Sequence, residues 1–152
     1  MYTITLIEPQ IPPNTGNIVR LCAATGSKLE IVGKIGFDLS DRAVKRAGLD
    51  YWHLVDIEMI PELDVFLDQL DPTTCHFLSS KATKVYTEVR FQPGDRLVFG
   101  NEDTGLPTVI HERFLSRFCT IPMLNRDQGM RCLNLSNSAA ITLYEAIRQS
   151  GF

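Results

Sequence analysis

Apolar residues recur along the chain with two different periods, and the switches between them fall at glycines and prolines. "YTITLIE" alternates β-branched residues and leucine with polar ones, which predicts a strand. "IVRLCAATG" follows at helical spacing and stops at Gly26. "LEIVG" is strand-like again, and "DRAVKRAG" predicts a second helix with its own glycine stop. "PELDVFLDQL" predicts a helix with Pro61 in its first turn and Leu63, Phe66, Leu67 and Leu70 on one stripe. "CHFLSS" and "RLVFG" are short apolar runs of the kind buried strands need. "PTVIHERFL" predicts a helix and "FCTIP" a strand. "NLSNSAAITLYEAIRQSG" predicts the longest helix, with Leu135, Ala139, Leu143, Ala146 and Ile147 along its apolar side. Strands alternating with helices in this way predict an α/β fold with a mostly parallel sheet. In such sheets ligands sit beyond the carboxyl ends of the strands. No repeat, low-complexity tract or long linker interrupts the pattern, so residues 1–152 are expected to form a single domain.

Composition narrows the class. With 44% hydrophobic and 22% charged residues, the chain has the balance of an ordinary globular protein rather than a disordered one. The start lacks the basic flank and long apolar core of a secretory signal, and no apolar run nears the roughly 20 residues that span a bilayer. A cytosolic protein is expected. Cys22, Cys75, Cys119 and Cys132 are widely spaced, and His53, His76 and His111 stand in separate contexts. Neither zinc nor a redox dithiol is suggested, and the thiols are expected to be buried. A net charge of −3 lacks the basic footprint of most nucleic-acid binders. Locally, however, Arg42, Lys45 and Arg46 recur at helical spacing and would put three cations on one face, either solvated or set toward an anionic partner.

Three polar segments stand out against this background. In "EPQIPPNTGNIVR", Pro12 and Pro13 stiffen the approach to a helix, Asn14 is suited to cap it, and Gly16 permits a close turn. Helical spacing puts Ile18, Leu21, Cys22 and Thr25 on the core side and Arg20 on the opposite face, near Asn17. In "LVFGNEDTGLP", an apolar run stops at Gly100 and a polar loop with Glu102 and Asp103 closes on Gly105. A glycine directly after a buried strand lets a ligand or another backbone come close. In "IPMLNRDQGMRCLNLSNSAA", a loop with Arg126 and Arg131 leads to Asn134, Ser136 and Asn137, more amides and hydroxyls than one helix cap requires.

"NTGNIVR", "FGNEDTGLP" and "IPM…LNLSNSAA", in that order near the two ends of a short chain, closely resemble the three motifs of the SPOUT-class, SpoU-type RNA ribose 2′-O-methyltransferases. The short length, with "AGLDYWH" between motifs, is most similar to the branch that modifies the wobble nucleotide of tRNA. The resemblance implies an α/β domain with a C-terminal deep trefoil knot, a topology that pattern reasoning alone excludes. It further implies a homodimer that binds S-adenosylmethionine in the knot and releases S-adenosylhomocysteine. The implied substrate is the wobble cytidine or uridine of tRNA, leucine tRNAs foremost.

Carried over by motif position, Leu78, Ser79, Ser80, Gly100, Glu102, Gly105, Ile121, Pro122, Met123, Cys132, Leu133 and Ser136 would hold the cofactor. Arg20 would be the central catalytic residue, assisted by Asn14, Glu102, Asn134 and Ser136. Arg20, Arg42, Lys45, Arg46, Arg126 and Arg131 would contact RNA, with two chains together forming the basic groove that one acidic chain lacks. A guanidinium stays charged at any ordinary pH, so stabilising a developing alkoxide and a neighbouring phosphate suits Arg20 better than acting as a base. Glu102 would either act beside the substrate or fix neighbouring loops. Cys132 stands where relatives often have Ser, and a thiol is a much weaker donor.

Three rivals separate on the same residues. A dinucleotide-binding oxidoreductase would need G-x-G-x-x-G after the first strand, where "EPQIPPNTG" stands instead. A non-catalytic RNA-binding module would have no need of Arg20, Glu102 and Asn134 together. A 2′-O-methyltransferase acting on ribosomal RNA is the remaining alternative, against which the lack of room for an added RNA-binding domain favours a small anticodon target.

Overall fold

The computed structural model describes residues 1–38, 49–125 and 129–151. Six strands form one sheet in the order β3-β2-β1-β5-β4-β6. They are β1 (Thr3–Ile7), β2 (Lys28–Val32), β3 (Ile57–Ile60), β4 (Cys75–Leu78), β5 (Arg96–Phe99) and β6 (Phe118–Cys119). Every pairing is parallel, from Thr3 opposite Lys28 on one side of β1 to Thr3 opposite Arg96 on the other. Among the described residues four α-helices accompany them: α1 (Pro12–Thr25), α2 (Leu63–Gln69), α3 (Thr108–Phe114) and α4 (Leu135–Ser150).

Alternation along the strands builds two cores. Ile4, Leu6, Leu29, Ile31, Leu97 and Phe99 face α1 and α4, meeting Ile18, Val19 and Cys22 of the former and Ala139, Leu143 and Ala146 of the latter. Ile7, Val32, Phe77 and Val98 face the other way, against Phe66 and Leu67 of α2 and Ile110 and Phe114 of α3. The expected apolar stripes of α1, α2 and α4 therefore face the cores, with Leu21, Thr25, Leu63, Leu70 and Ile147 only partly buried.

Several boundaries differ from the sequence reading. Helix α1 begins at Pro12 with Ile11 as its cap, so Asn14 and Gly16 are buried helical residues, not a cap and a turn. Two prolines at the opening positions cost no hydrogen bonds there and start the helix earlier than its polar residues suggest. Pro61 precedes the cap of α2, Glu62, and is not in the helix. The strand expected in "FCTIP" is confined to Phe118–Cys119, with a single further bridge from Thr120 to Val85. Strand β3, in "IEMI", was not expected, because only its last residue is fully buried and its alternation is correspondingly weak. The helix expected in "DRAVKRAG" lies outside the described residues, as do Arg42, Lys45, Arg46 and Arg126.

Candidate cofactor and RNA site at the carboxyl ends of the strands

The strand order reverses at β1 and β5, the point where an open parallel sheet leaves a crevice beyond its carboxyl edge. A cavity of about 510 Å³ opens there. Its wall comes from the segments that follow β1, β4, β5 and β6, and from the entry to α4. Of the sequence-derived candidates it gathers Asn14, Leu78, Ser79, Ser80, Gly100, Glu102, Gly105, Ile121, Met123, Arg131, Cys132, Leu133 and Asn134. Pro122 and Ser136 stand outside the lining, although Ser136 remains joined to Asn134. Arg20 is exposed on the outer side of α1 and does not line this cavity. Cys132 is exposed on the wall, contrary to the expectation of a buried thiol. The other three thiols are buried, and burial pushes Cys22 and Cys119 up to about 12 and Cys75 to about 11.

The segments are tied together by a directional relay of side chains. The Asn134 side-chain oxygen Oδ1 caps α4, accepting from the Ser136 backbone N–H at 2.9 Å, the Ser136 hydroxyl at 2.7 Å and the Asn137 N–H at 3.3 Å. Its amide nitrogen is thereby turned outward and donates to Asn14 Oδ1 at 2.9 Å. Asn14 must then donate through Nδ2, which it does to Glu102 Oε1 at 3.0 Å. Glu102 also accepts from the backbone N–H of Ile11 at 3.1 Å and of Gln10 at 2.8 Å. Three donors converge on one carboxylate, each bond strengthened by its charge. Glu102 thus joins the loop after β5 to the chain that enters α1. Asn14, freed from capping, becomes the middle of the relay.

Gly100 is dictated by packing of the loop on itself. A Cβ there would lie 2.1 Å from the carbonyl carbon of Gly105 and 2.2 Å from the Leu106 nitrogen. Gly105 takes a positive φ of 75° and its N–H donates to Asn101 at 3.1 Å, closing the loop. Asn101 organises the turn, its side-chain oxygen accepting from the N–H groups of Asp103 and Thr104 and from the Thr104 hydroxyl. The chain leading to α1 is held in a strained form, with Glu8 at a φ of 49°. Beyond β6, Ser79 donates its N–H to Cys119 and Tyr86 donates to Thr120, so this strand end is joined to the segment after β4.

Sequence reasoning missed Asn101, Thr104, Thr120, Lys81 and His111 on the wall. "GNEDTG" held the signal for the first two, since an Asn side chain capping a turn of this length is a known habit of the residue. His111 comes from α3 and stacks on Phe118 at 4.4 Å, with its pKa lowered by burial; nothing in its local sequence marks it. Among the described residues, no group of three or more His, Cys, Asp and Glu side chains is placed to hold a metal. No helix among them is long and apolar enough to cross a membrane.

An all-parallel α/β sheet with a polar crevice at its switch point defines the class: a protein that binds a small molecule across the carboxyl edge. Residues 1–144 match the SpoU rRNA Methylase family, and the chain belongs to it. It is similar to the tRNA (cytidine(34)-2'-O)-methyltransferase of Saccharophagus degradans, with 45% identity covering 100% of this chain and 97% of that one. A solved structure described as giving insights into 2-OH methylation of C/U34 on tRNA superimposes with a TM-score of 0.88 at 38% identity, covering 99% of this chain and 96% of that one. A putative RNA methyltransferase from Bacillus anthracis gives 0.86 at 39% identity, covering 100% and 96%.

Proposed function

We propose that this protein methylates the ribose 2′-hydroxyl of the wobble nucleotide, cytidine or uridine 34, in tRNA, with leucine tRNAs as the expected set. One observation carries the reading. The relay from Asn134 through Asn14 to Glu102 joins all three motif segments at the mouth of the crevice, in a member of a methylase family.

The donor set of the cavity suits S-adenosylmethionine. Leu78, Leu106, Ile121 and Leu133 offer apolar surface for an adenine, while Ser79, Ser80, Thr104 and Thr120 offer hydroxyls and backbone groups for a ribose and an amino acid. When bound, S-adenosylmethionine supplies an electrophilic methyl group on a sulfonium. The protein's share is placement and charge. Glu102 holds the Gln10–Ile11 backbone and Asn14, and through Asn134 this fixes the start of α4 against the start of α1. Arg20 has the role of stabilising negative charge on the attacking 2′-oxygen and its adjacent phosphate.

Arg20 lies off the cavity wall of its own chain, so the reading includes a homodimer, in which the RNA groove is made by two chains. Arg42, Lys45, Arg46, Arg126 and Arg131 are assigned to that groove, and tRNA binding should weaken steeply with salt while cofactor binding does not. The reading also includes one domain with a C-terminal deep trefoil knot, supported by the bonding of the post-β6 segment to residues 79–86 and the return of residues 131–135 to the loop after β5. A cytoplasmic location accords with a tRNA substrate.

Radiolabelled methyl transfer from S-adenosylmethionine to total tRNA and, separately, to ribosomal RNA of a strain lacking this gene, followed by digestion and mapping, tests the proposal. Label on a ribose at position 34 is expected. Label confined to ribosomal RNA would replace the substrate, and cofactor binding with no transfer to either RNA would leave a non-catalytic module.

A further inference from the structure

Among the described residues three arginines are held by hydrogen-bond acceptors, while Arg113 and Arg20 sit over aromatic rings. Arg96 directs Nε and Nη2 onto Glu30, Arg148 directs the same pair onto Glu145, and Arg117 spends Nε and Nη2 on the carbonyls of Cys75 and Thr73. In each, two of the three nitrogens are taken by fixed acceptors. Arg20 is held otherwise: its guanidinium carbon lies 5.2 Å from the centroid of the Tyr51 ring. Among the described residues none supplies Arg20 with a carboxylate or a hydrogen-bond acceptor.

The difference has a chemical consequence. A guanidinium carries its five N–H donors in its plane, and a ring attracts it through electrostatics at the ring face. Such a partner restricts the cation without neutralising it and without taking its donors. The ring itself is anchored. Tyr51 belongs to the short 3-10 helix Leu49–Leu54, and its neighbour Trp52 packs against the core beside α1 while Tyr51 stays 38% exposed.

We propose that Tyr51 is a positioning residue for Arg20, holding the guanidinium by a ring face so that its charge and N–H donors remain available to an RNA phosphate or ribose oxygen. This rests on the reading of Arg20 given above. Nothing about Tyr51 requires its hydroxyl, so phenylalanine should substitute and an aliphatic side chain should not.

The test compares Tyr51→Phe and Tyr51→Leu, each in the full chain with and without Arg20→Ala. Single-turnover methyl transfer to tRNA, cofactor affinity, thermal melting and the NMR resonance of the Arg20 Nε–H are measured. Tyr51→Leu is expected to slow transfer about twofold to fivefold, the loss a solvent-accessible cation–ring contact supports. Tyr51→Phe should match the wild type, cofactor affinity should not change, and Tyr51→Leu should add nothing to Arg20→Ala. The Arg20 Nε–H should carry a ring-current shift in the wild type and Tyr51→Phe that is lost in Tyr51→Leu. An equal loss in the Arg20→Ala chain, a Phe variant as slow as the Leu variant, or a wild-type Nε–H with no ring-current shift would each overturn the inference. The last holds even if the Leu variant fails to fold. If Arg20→Ala transfers methyl normally, the role of Arg20 fails and this inference with it; if Arg20→Ala is slow and Tyr51→Leu is not, only the inference fails.

Discussion

Polar groups gather at both ends of the sheet, and the two ends use them differently. From the middle of β1 and β2 toward the amino ends of the strands the groups satisfy one another. Glu30, 5% exposed, accepts from Thr5 at 2.7 Å and from Arg96 through both oxygens at 3.0 Å. His76 Nε2 lies 2.7 Å from Asp95, which also accepts the Gln92 N–H, and Arg117 ties off two carbonyls. At the carboxyl ends the relay borders an open cavity, running from exposed Asn134 through buried Asn14 to half-buried Glu102. A closed network contributes stability and little else; one bordering a cavity can hold loops in place for a ligand. Location on the sheet alone does not separate function from architecture, but saturation against solvent access does.

The largest expected effects come from deleting one carboxylate at each end. Glu102→Ala should cut single-turnover methyl transfer by about 100-fold, the cost of displacing positioned groups by around an ångström, with a smaller loss of folding stability, about 1 kcal/mol, from the Asn14 amide left without its acceptor. Glu30→Ala should do the reverse, costing about 3 kcal/mol in denaturant unfolding because it strands Arg96 and Thr5, while the folded fraction keeps its cofactor affinity. Equal losses of stability in both would erase the distinction.

Gly100→Ala comes next. Its Cβ would meet backbone at 2.1 Å and not a side chain that can swing away, so the loop must open. About 2 kcal/mol of stability should be lost, together with measurable cofactor binding by calorimetry.

At the amino end, pH provides the probe. Burial lowers the His76 pKa below its ordinary 6.5, outweighing the opposing pull of Asp95. The unfolded chain therefore takes up a proton before the native one does, and stability should decline as pH falls below about 6.5. Denaturant midpoints at pH 7.5 and 5.5 should differ more in the wild type than in His76→Gln, which can still donate to Asp95 but does not titrate. The smallest effect is expected for Cys132→Ser. The side chain is on the cavity wall but exposed, so cofactor affinity should stay the same or rise slightly, and a large loss would assign the thiol a contact that serine cannot make.

Much of the fold was legible because burial enforces period. The stripe of α4, the core residues of α1 and the apolar runs of β4 and β5 are repeated choices, each reinforced by its neighbours. Strand β3 was not legible, since a strand with three of its four residues at least partly exposed carries little alternation. The cap reading of Asn14 failed: its residue type fits a cap, but Pro12 and Pro13 had already begun the helix. His111 could not have been assigned to the cavity, because it reaches it from α3, whereas Lys81 and Thr120 adjoin Ser80 and Ile121, which were assigned.

Local chemistry determined the α/β class, the glycine after β5, the helix stops and the three motif segments, since each depends on side chains a few residues apart. Which carboxylate braces the loops and which braces the sheet was decided only by the tertiary structure. Glu102 meets Asn14 across 88 residues, and Asn134 meets Asn14 across 120. Hydrogen bonds act over about 3 Å whatever the separation along the chain. Only folding could bring these partners within reach, and only their mutual geometry could fix which amide donates and which accepts.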